Sequence, residues 1–249
     1  AKTIGTDVPK RGEHHEKDLA KGTARLYFNT FVTVLNEAVR EGIIPKNPTK
    51  LLKKEERKML SKQESKRCYL SIEEIKLLMV TPCKADTVKC AFLFACFCGL
   101  RLSDVRSLRW ADIGKGTEGY YISKQMVKSR HVVTIPLSEN ALAWMPARGQ
   151  ARVEDKVFSL PSYFSVNYRM KQWAREAGIE KPVTFHVSRH TFATTLLTMG
   201  VDLYTTSKLL GHQNITTTQV YAEIVNRKKV EAVSLLDQIK PPLGTLLGT

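Results

Sequence analysis

His186-Val-Ser-Arg189-His190-Thr-Phe-Ala193 begins a series of basic and hydroxyl-bearing residues in the second half of this 249-residue chain. Leu210-Gly211-His212 comes next, and Tyr221 stands nine residues after His212. Upstream, Arg101 follows Cys98-Gly99-Leu100. Arginine forks donate paired hydrogen bonds to phosphate oxygens, and an activated tyrosine hydroxyl can act as a nucleophile. The series therefore predicts a site that binds a phosphodiester, stabilises its transition state and attacks it.

The composition of the chain agrees with an anionic partner. Its formal net charge is +15, and its hydrophobic fraction of 43% is ordinary for a globular core. A strong positive balance is one mark of nucleic-acid binding, although a ribosomal-type or membrane-surface protein would share it. Because no apolar run approaches the roughly 18 residues of a membrane span, no membrane partner is expected and a cytoplasmic location is predicted.

The five cysteines do not indicate a metal site or a disulfide framework. They cluster in one third of the chain, without a Cys-x-x-Cys pair and without a histidine-rich partner segment. Most of them lie in apolar surroundings, where cysteine behaves as a small hydrophobic residue. The cysteines therefore imply neither a zinc site nor a disulfide.

The N-terminal part of the sequence predicts one amphipathic helix and a basic linker. Residues 1–21 are polar, begin without methionine and indicate a piece of a longer protein. Apolar residues then recur at helical spacing from Thr23 to Glu41, and Gly42 supplies a stop signal. Between Lys46 and Arg67, nine Lys or Arg residues face three Glu residues, which indicates a basic interdomain linker or a solvated charged surface.

The rest of the chain predicts a mostly helical domain with one small sheet. Ser71 and Glu74 have the spacing of a capping box at a helix start, and Val88 to Cys98 is a buried helix that ends at Gly99. Segments 120–123 and 131–136 are rich in β-branched and aromatic residues and form a predicted hairpin. Four further helices are predicted: Tyr163 to Ala177, His190 to Met199, Leu203 to Leu210 and Lys228 to Ile239.

Three longer motifs in the sequence resemble those of the tyrosine recombinase (phage-type integrase) family. They are Gly99-Leu-Arg101-Leu-Ser-Asp104-Val-Arg-Ser-Leu108-Arg-Trp110-Ala-Asp112, then His186 to Ala193, and finally Leu209-Leu-Gly-His212 with Thr217-Thr-Gln-Val-Tyr221-Ala. The resemblance covers about Tyr69 to Ile239 and, more weakly, Thr23 to Pro48. The sequence near Thr198 to Tyr204 and Thr216 to Ala222 is most similar to that of integrases of bacterial conjugative or mobilisable elements.

The resemblance implies a fold that is mainly α with a small antiparallel β-sheet. A tyrosine recombinase catalytic domain, residues 69–249, would end in a tail that docks on a neighbouring subunit or folds back on its own domain. It would be preceded by a basic linker, residues 53–68. Residues 1–52 would form part of a helical core DNA-binding domain.

The resemblance also implies a role for each site residue. Tyr221 would be the nucleophile that forms a 3′-phosphotyrosyl link, His186 would assist its proton transfer, and Arg101, Arg189 and His212 would hold the non-bridging oxygens. Asp104 would orient Arg101 or a neighbouring group. These residues sit in the motifs quoted above, so each role is carried over position by position.

A hairpin lysine is the remaining member of the implied site. Counting eight residues back from Pro136 gives Lys128, which would donate a proton to the departing 5′ oxygen as general acid. Many family members have Lys-Thr-Gly there, whereas this chain has Lys128-Ser-Arg130. Lys124 therefore remains an alternative.

By the same resemblance, the partner is double-stranded DNA and the activity is site-specific recombination that integrates and excises a mobile element. No metal, nucleotide or other cofactor would be required. A homo-tetramer is expected in the synaptic complex, with a monomer in free solution, accessory DNA-bending or excision factors and nucleoid association when bound. A catalytically silent DNA-binding regulator of the same fold and a type IB topoisomerase remain alternatives. A metal-dependent nuclease would require clustered carboxylates, which the motifs lack.

Overall fold

The computed structural model describes residues 21–53, 55–56 and 68–221, which fall into two compact units. The first unit is Ala1–Lys66 and the second is Arg67–Thr249. Within the described residues, none of the helices combines the length and the apolar character needed to cross a membrane. The predicted C-terminal helix Lys228 to Ile239, the tail after it and most of the basic linker lie outside the described residues.

In the first unit, helix α1 spans Lys21–Arg40, close to the predicted range. Gly42 adopts a φ of +74°, and its backbone N–H donates to the carbonyl of Val39. Asn47 is buried and ties the following turn back to α1, because its amide nitrogen donates to Asn36 Oδ1 at 2.7 Å. The predicted helix and its glycine stop are thus confirmed.

The second unit is mostly helical with one three-stranded sheet, which confirms the predicted fold class. Among the described residues its helices are α2 (Ile72–Val80), α3 (Asp86–Cys98), α4 (Leu102–Arg106), α5 (Glu139–Ala143), α6 (Tyr163–Glu176), α7 (Phe185–Thr198) and α8 (Leu203–Leu209). Its strands are β1 (Ile113–Gly116), β2 (Gly119–Gln125) and β3 (Val132–Pro136). Single 3-10 turns at Ile215–Thr217 and Gln219–Tyr221 follow α8.

Helix α3 is the centre of the hydrophobic core. Its Phe92 makes edge-to-face contacts with Trp173 of α6 and Phe185 of α7, at ring-centroid distances of 6.1 and 5.8 Å. Such pairs contribute about 0.5–1.5 kcal/mol beyond the burial of their area. Helix α3 and the start of α7 are therefore held against each other, which fixes the segments that carry Arg101 and Arg189.

Gly99 ends α3 in the left-handed conformation that the sequence predicts. Its φ is +73°, and a Cβ placed there would lie 2.5 Å from the ring of Phe192 on α7. Both the conformation and the close approach require glycine. The chain can therefore turn directly from α3 into Arg101 while α7 packs beneath it.

The sheet contains one strand more than the sequence predicts. The expected hairpin is present as β2 and β3, with Ile122 opposite Ile135, and β1 adds a third antiparallel strand with Gly114 opposite Tyr121. The two glycines of β1 have low β-propensity, so local sequence gives little signal there. A Cβ at Gly114 would lie 2.4 Å from the Tyr121 ring, which indicates that the ring of Tyr121 covers this strand.

Helix α7 begins five residues before the predicted start at His190, so that prediction is corrected. Thr184 at its N-cap makes no side-chain capping bond, and the backbone N–H of Phe185 instead donates to Asn167 Oδ1 on α6 at 3.0 Å. The start is thus fixed by a tertiary contact that local sequence signals do not reveal. As a result His186, Arg189 and His190 all lie on one helix.

Candidate active site

Arg189 is the structural centre of the site. It is only 3% exposed, and its guanidinium donates to the carbonyl of Gly99 at 2.8 Å and to the carbonyl of Leu210 at 2.6 Å. These carbonyls belong to the other two motifs, at the exit of α3 and at the end of α8. One side chain therefore holds all three motifs together.

The guanidinium of Arg189 carries its charge in an unfavourable setting. Burial, and after it the positive charge of Arg101, lower the pKa of Arg189 from its ordinary value to about 9, while Tyr221 and Asp104 act in the opposite direction. At neutral pH Arg189 is still protonated. An anion bound beside the two arginines would offset both the desolvation and the mutual repulsion.

Arg101 occupies the N-cap position of α4 and is partly exposed. Within the part of the chain that the structure describes, its Nη1 atom is buried and makes no hydrogen bond. An unsatisfied buried donor costs about 1–3 kcal/mol, which a native protein rarely tolerates without a reason. Two arginine forks close enough to repel each other, one with a spare donor, form a site suited to a phosphate group.

Asp104 connects the first arginine motif to the hairpin. Its side chain is fully buried on α4, and its Oδ1 accepts a hydrogen bond from the backbone N–H of Val127 at 2.8 Å. Val127 lies in the turn between β2 and β3, immediately before Lys128. The sequence predicts an orienting role for Asp104 toward Arg101 or a neighbour, and the contact identifies the hairpin turn as one group that it fixes.

The two candidate lysines have different environments. Lys124 is 8% exposed, and its ammonium group donates to Asp112 Oδ2 and to the carbonyl of Ser107, each at 2.9 Å. Lys128 is exposed in the turn of the hairpin. Lys124 thus has a structural task within the domain, whereas Lys128 is accessible to a large substrate.

Tyr221 lies at the end of the last described turn with its ring packed in the protein. It is 6% exposed, and its backbone N–H donates to the carbonyl of Thr218 at 3.1 Å. Its hydroxyl is 2.7 Å from Nδ1 of His190 on α7. Tyr221 also acts to raise the pKa of Arg189.

The two remaining histidines flank this arrangement. His186 is exposed on α7, and its ring meets that of His190 edge-on at a centroid distance of 4.6 Å. His212 is partly exposed, and its Nδ1 lies 2.8 Å from the hydroxyl of Thr218, in the segment that leads to Tyr221. His212 is therefore linked to the tyrosine turn as well as to α8.

The charges of Arg101 and Tyr221 both influence the pKa of Arg189, and the contacts described above connect Asp104 to the Lys128 turn and His212 to the turn before Tyr221. His190 belongs to the second motif, but the motif does not predict the contact of His190 with Tyr221. The only sequence signal is its position directly after Arg189, one helical turn from His186. Among the described residues, no group of three or more His, Cys, Asp or Glu side chains could hold a metal ion.

Two family profiles match the chain. The phage integrase family profile matches residues 68–227, and the phage integrase SAM-like domain profile matches residues 8–57. The first of these covers well over half of the chain. The family resemblance noted from the motifs is therefore confirmed.

Individual relatives of the chain are named as tyrosine recombinases. The chain is 33% identical over 147 residues to a tyrosine recombinase of Pseudothermotoga lettingae, covering 57% of this chain and 51% of that protein. It is 32% identical over 195 residues to tyrosine recombinase XerD of Proteus mirabilis, covering 70% and 59%. The chain thus spans about half to three fifths of the length of these relatives.

Among solved structures, a lambda integrase (75-356) dimer bound to a COC' core site matches with a TM-score of 0.64 at 20% identity, covering 81% of this chain and 73% of that one. The Tn1549 transposon integrase in complex with a circular intermediate DNA matches with a TM-score of 0.63 at 20% identity, covering 83% and 76%. At such identities the likeness establishes the fold alone.

Proposed function

The chain belongs to the phage integrase family, and from that premise we propose that it is a tyrosine-type site-specific recombinase that cuts and rejoins double-stranded DNA. The observation that carries the proposal is the position of Tyr221. Its hydroxyl lies 2.7 Å from Nδ1 of His190, the residue after Arg189, and its ring packs in one cluster with Leu210, whose carbonyl Arg189 binds. Arg101, whose charge lowers the pKa of Arg189, has a spare buried donor. A nucleophile beside two arginines is the arrangement that attack on a phosphodiester requires.

The proposed cleavage step is a displacement at phosphorus with Tyr221 as the nucleophile. The phenolic oxygen of Tyr221 attacks phosphorus, so a new O–P bond forms while the bond to the 5′ oxygen breaks. The electron pair of that bond stays on the 5′ oxygen, which takes a proton from Lys128, and the phenol proton passes to His186. Arg101, Arg189 and His212 hold the non-bridging oxygens. The 3′-phosphotyrosyl link conserves the bond energy, so attack by a 5′-hydroxyl from a partner duplex rejoins DNA without a nucleotide cofactor.

The biological setting that we propose is the integration and excision of a mobile element. The sequence near Thr198 to Tyr204 and Thr216 to Ala222 is most similar to that of conjugative-element integrases, which supports this setting. The fold shared with the Tn1549 transposon integrase supports it as well. The net charge of +15 supports DNA as the partner, with a log–log salt slope of about −0.9 per neutralised phosphate. On DNA we expect a homo-tetramer assisted by accessory DNA-bending or excision factors, and in free solution a monomer.

The domain organisation is part of the proposal. Residues 1–52 would form a DNA-binding module and residues 69–249 a catalytic domain, with the basic linker 53–68 joining them along the chain. The tail of the catalytic domain would dock on a neighbouring protomer. The family match over residues 8–57 supports a separate N-terminal module.

The decisive experiment identifies the covalent bond. The protein is incubated with nicked duplexes drawn from the DNA that flanks its gene, labelled at either end, and then denatured. We expect an adduct on the strand whose 3′ phosphate is at the cut, and trypsin should place the nucleotide on peptide 209–227, which contains Tyr221 as its only tyrosine. Specific binding without any adduct would instead favour a silent regulator.

For Asp104 we propose a positioning role toward the hairpin. Its bond to the backbone of Val127 holds the turn that carries Lys128, while α4 also carries Arg101 at its N-terminus. The group that would protonate the leaving oxygen and the group that would hold the non-bridging oxygens are thereby anchored to one short helix.

Replacing Lys128 with alanine should slow cleavage of ordinary DNA by about 10²–10⁴-fold, the usual contribution of general acid–base catalysis. The defect should nearly disappear on a substrate in which sulfur replaces the 5′ bridging oxygen. A thiolate, with a pKa near 8.5, leaves without a proton. Single-turnover adduct formation on the two substrates measures the ratio.

Lys124→Met is the matched control for this experiment. Because Lys124 pairs with Asp112 inside the domain, its loss should lower the melting temperature, and sulfur substitution should not restore any loss of rate. The converse pattern, with sulfur rescue of the Lys124 variant and none for Lys128→Ala, would assign the general acid to Lys124.

A further inference from the structure

We propose that His190 orients the hydroxyl of Tyr221 for attack on DNA, as a residue distinct from the six implied by the family motifs. The inference rests on the proposed function, because it takes Tyr221 as the nucleophile. The juxtaposition that carries it is the 2.7 Å contact between Nδ1 of His190 and the tyrosine oxygen.

Packing fixes the ring of Tyr221 but leaves the hydroxyl direction to be set. The ring belongs to a small cluster of buried side chains with Phe192, Leu197 and Leu210. Packing of this kind places the phenolic oxygen in space, but it does not select the direction of the O–H bond. A hydrogen bond between the hydroxyl and Nδ1 selects that direction.

His190 is itself well supported. It is partly buried on α7, and its ring meets that of His186 edge-on at 4.6 Å, with 81° between the ring planes. Its neighbour Arg189 ties the same helical turn to the carbonyls of Gly99 and Leu210. A side chain on a locked helix can hold a reacting group within the narrow tolerance that catalysis needs.

Consecutive residues would thus perform two linked tasks. Arg189 lies where a phosphate oxygen is expected, and His190 holds the atom that attacks the same phosphate. The distance between the phosphate pocket and the nucleophile is then set by one peptide unit of α7. A misplacement of a reacting group by about 1 Å can lower the rate about 10²-fold, so the spacing of these two side chains should have a measurable effect on the cleavage rate.

The test compares two substitutions of similar size, His190→Asn and His190→Leu. The asparagine amide can bond to the tyrosine hydroxyl, whereas leucine cannot. Adduct formation is measured in single turnover at saturating nicked DNA, with the wild-type chain alongside. We expect the Leu variant to be about 10²-fold slower than wild type and the Asn variant to be within about 10-fold of wild type.

A purely structural role of residue 190 in α7 makes the opposite prediction, since leucine has a higher helix propensity than asparagine. Equal rates for the two variants, or a faster Leu variant, would overturn the inference. Melting temperatures report any loss of fold. If the wild-type chain forms no adduct, the proposed function fails and this inference fails with it; if the wild type reacts and only the Asn–Leu difference is missing, the inference alone fails.

Discussion

Tyr221→Phe is expected to abolish the covalent protein–DNA adduct, with a loss of at least about 10⁴-fold in cleavage rate. The loss of a covalent nucleophile typically has an effect of this size or larger. The substitution removes one oxygen atom and leaves the ring in its cluster with Phe192 and Leu210. DNA affinity, which depends on the basic surface, should be unchanged within a factor of about three.

Tyr221→Phe should lower the stability of the fold by a small but measurable amount. Losing the hydrogen bond with His190 lowers the free energy of unfolding by about 1 kcal/mol. Tyr204→Phe is the matched control, because Tyr204 is 60% exposed on α8 and should affect neither rate nor stability. An adduct that persists in Tyr221→Phe would show that another residue is the nucleophile, and peptide mapping of that adduct would identify it.

Arg101→Met should reduce the cleavage rate by about 10²–10³-fold while leaving the fold as stable as before or more stable. The loss of rate follows from the removal of a preorganised donor to the charged transition state. The effect on stability follows from the buried Nη1 atom, which makes no hydrogen bond among the described residues, and from repulsion between Arg101 and Arg189. We expect the free energy of unfolding to rise by about 1 kcal/mol.

Arg101→Lys and Arg106→Met sharpen this prediction. Lysine keeps the charge but loses the planar fork, so its rate should fall between wild type and Arg101→Met. Arg106 lies on the same short helix and donates to the carbonyl of Pro161, so its replacement tests the effect of a lost charge on α4 away from the phosphate site. A destabilised Arg101→Met chain would contradict the idea that stability is sacrificed at this residue for substrate binding.

Much of the fold follows from local patterns in the sequence. The Ser71–Glu74 capping box is present with both of its hydrogen bonds, and Gly99 has the left-handed conformation expected at a helix end. These features depend on neighbouring residues, which is why sequence alone reveals them. Strand β1 depends on Tyr121 and the start of α7 depends on Asn167, which both lie in other segments, so no local pattern predicts these two features.

The same distinction applies to the site. Motif spacing identifies which residues are candidates, but it does not say which side chains touch. The bond from Val127 to Asp104, the pairing of Lys124 with Asp112 and the contact of His190 with Tyr221 all join segments at least 12 residues apart. The different environments of Lys128 and Lys124 and the contact of His190 with Tyr221 therefore depend on tertiary structure.

The two backbone contacts of Arg189 have a consequence for how such a chain could lose its activity over evolutionary time. Arg189 bonds to the carbonyls of Gly99 and Leu210, so a mutation there removes support for three segments as well as a charge. Lys128 and Arg101 can change, and Tyr221 can become phenylalanine, at little structural cost. A descendant that drifted into a DNA-binding repressor would therefore retain Arg189 long after those three had changed, and a surviving arginine at this position would be poor evidence of an active enzyme.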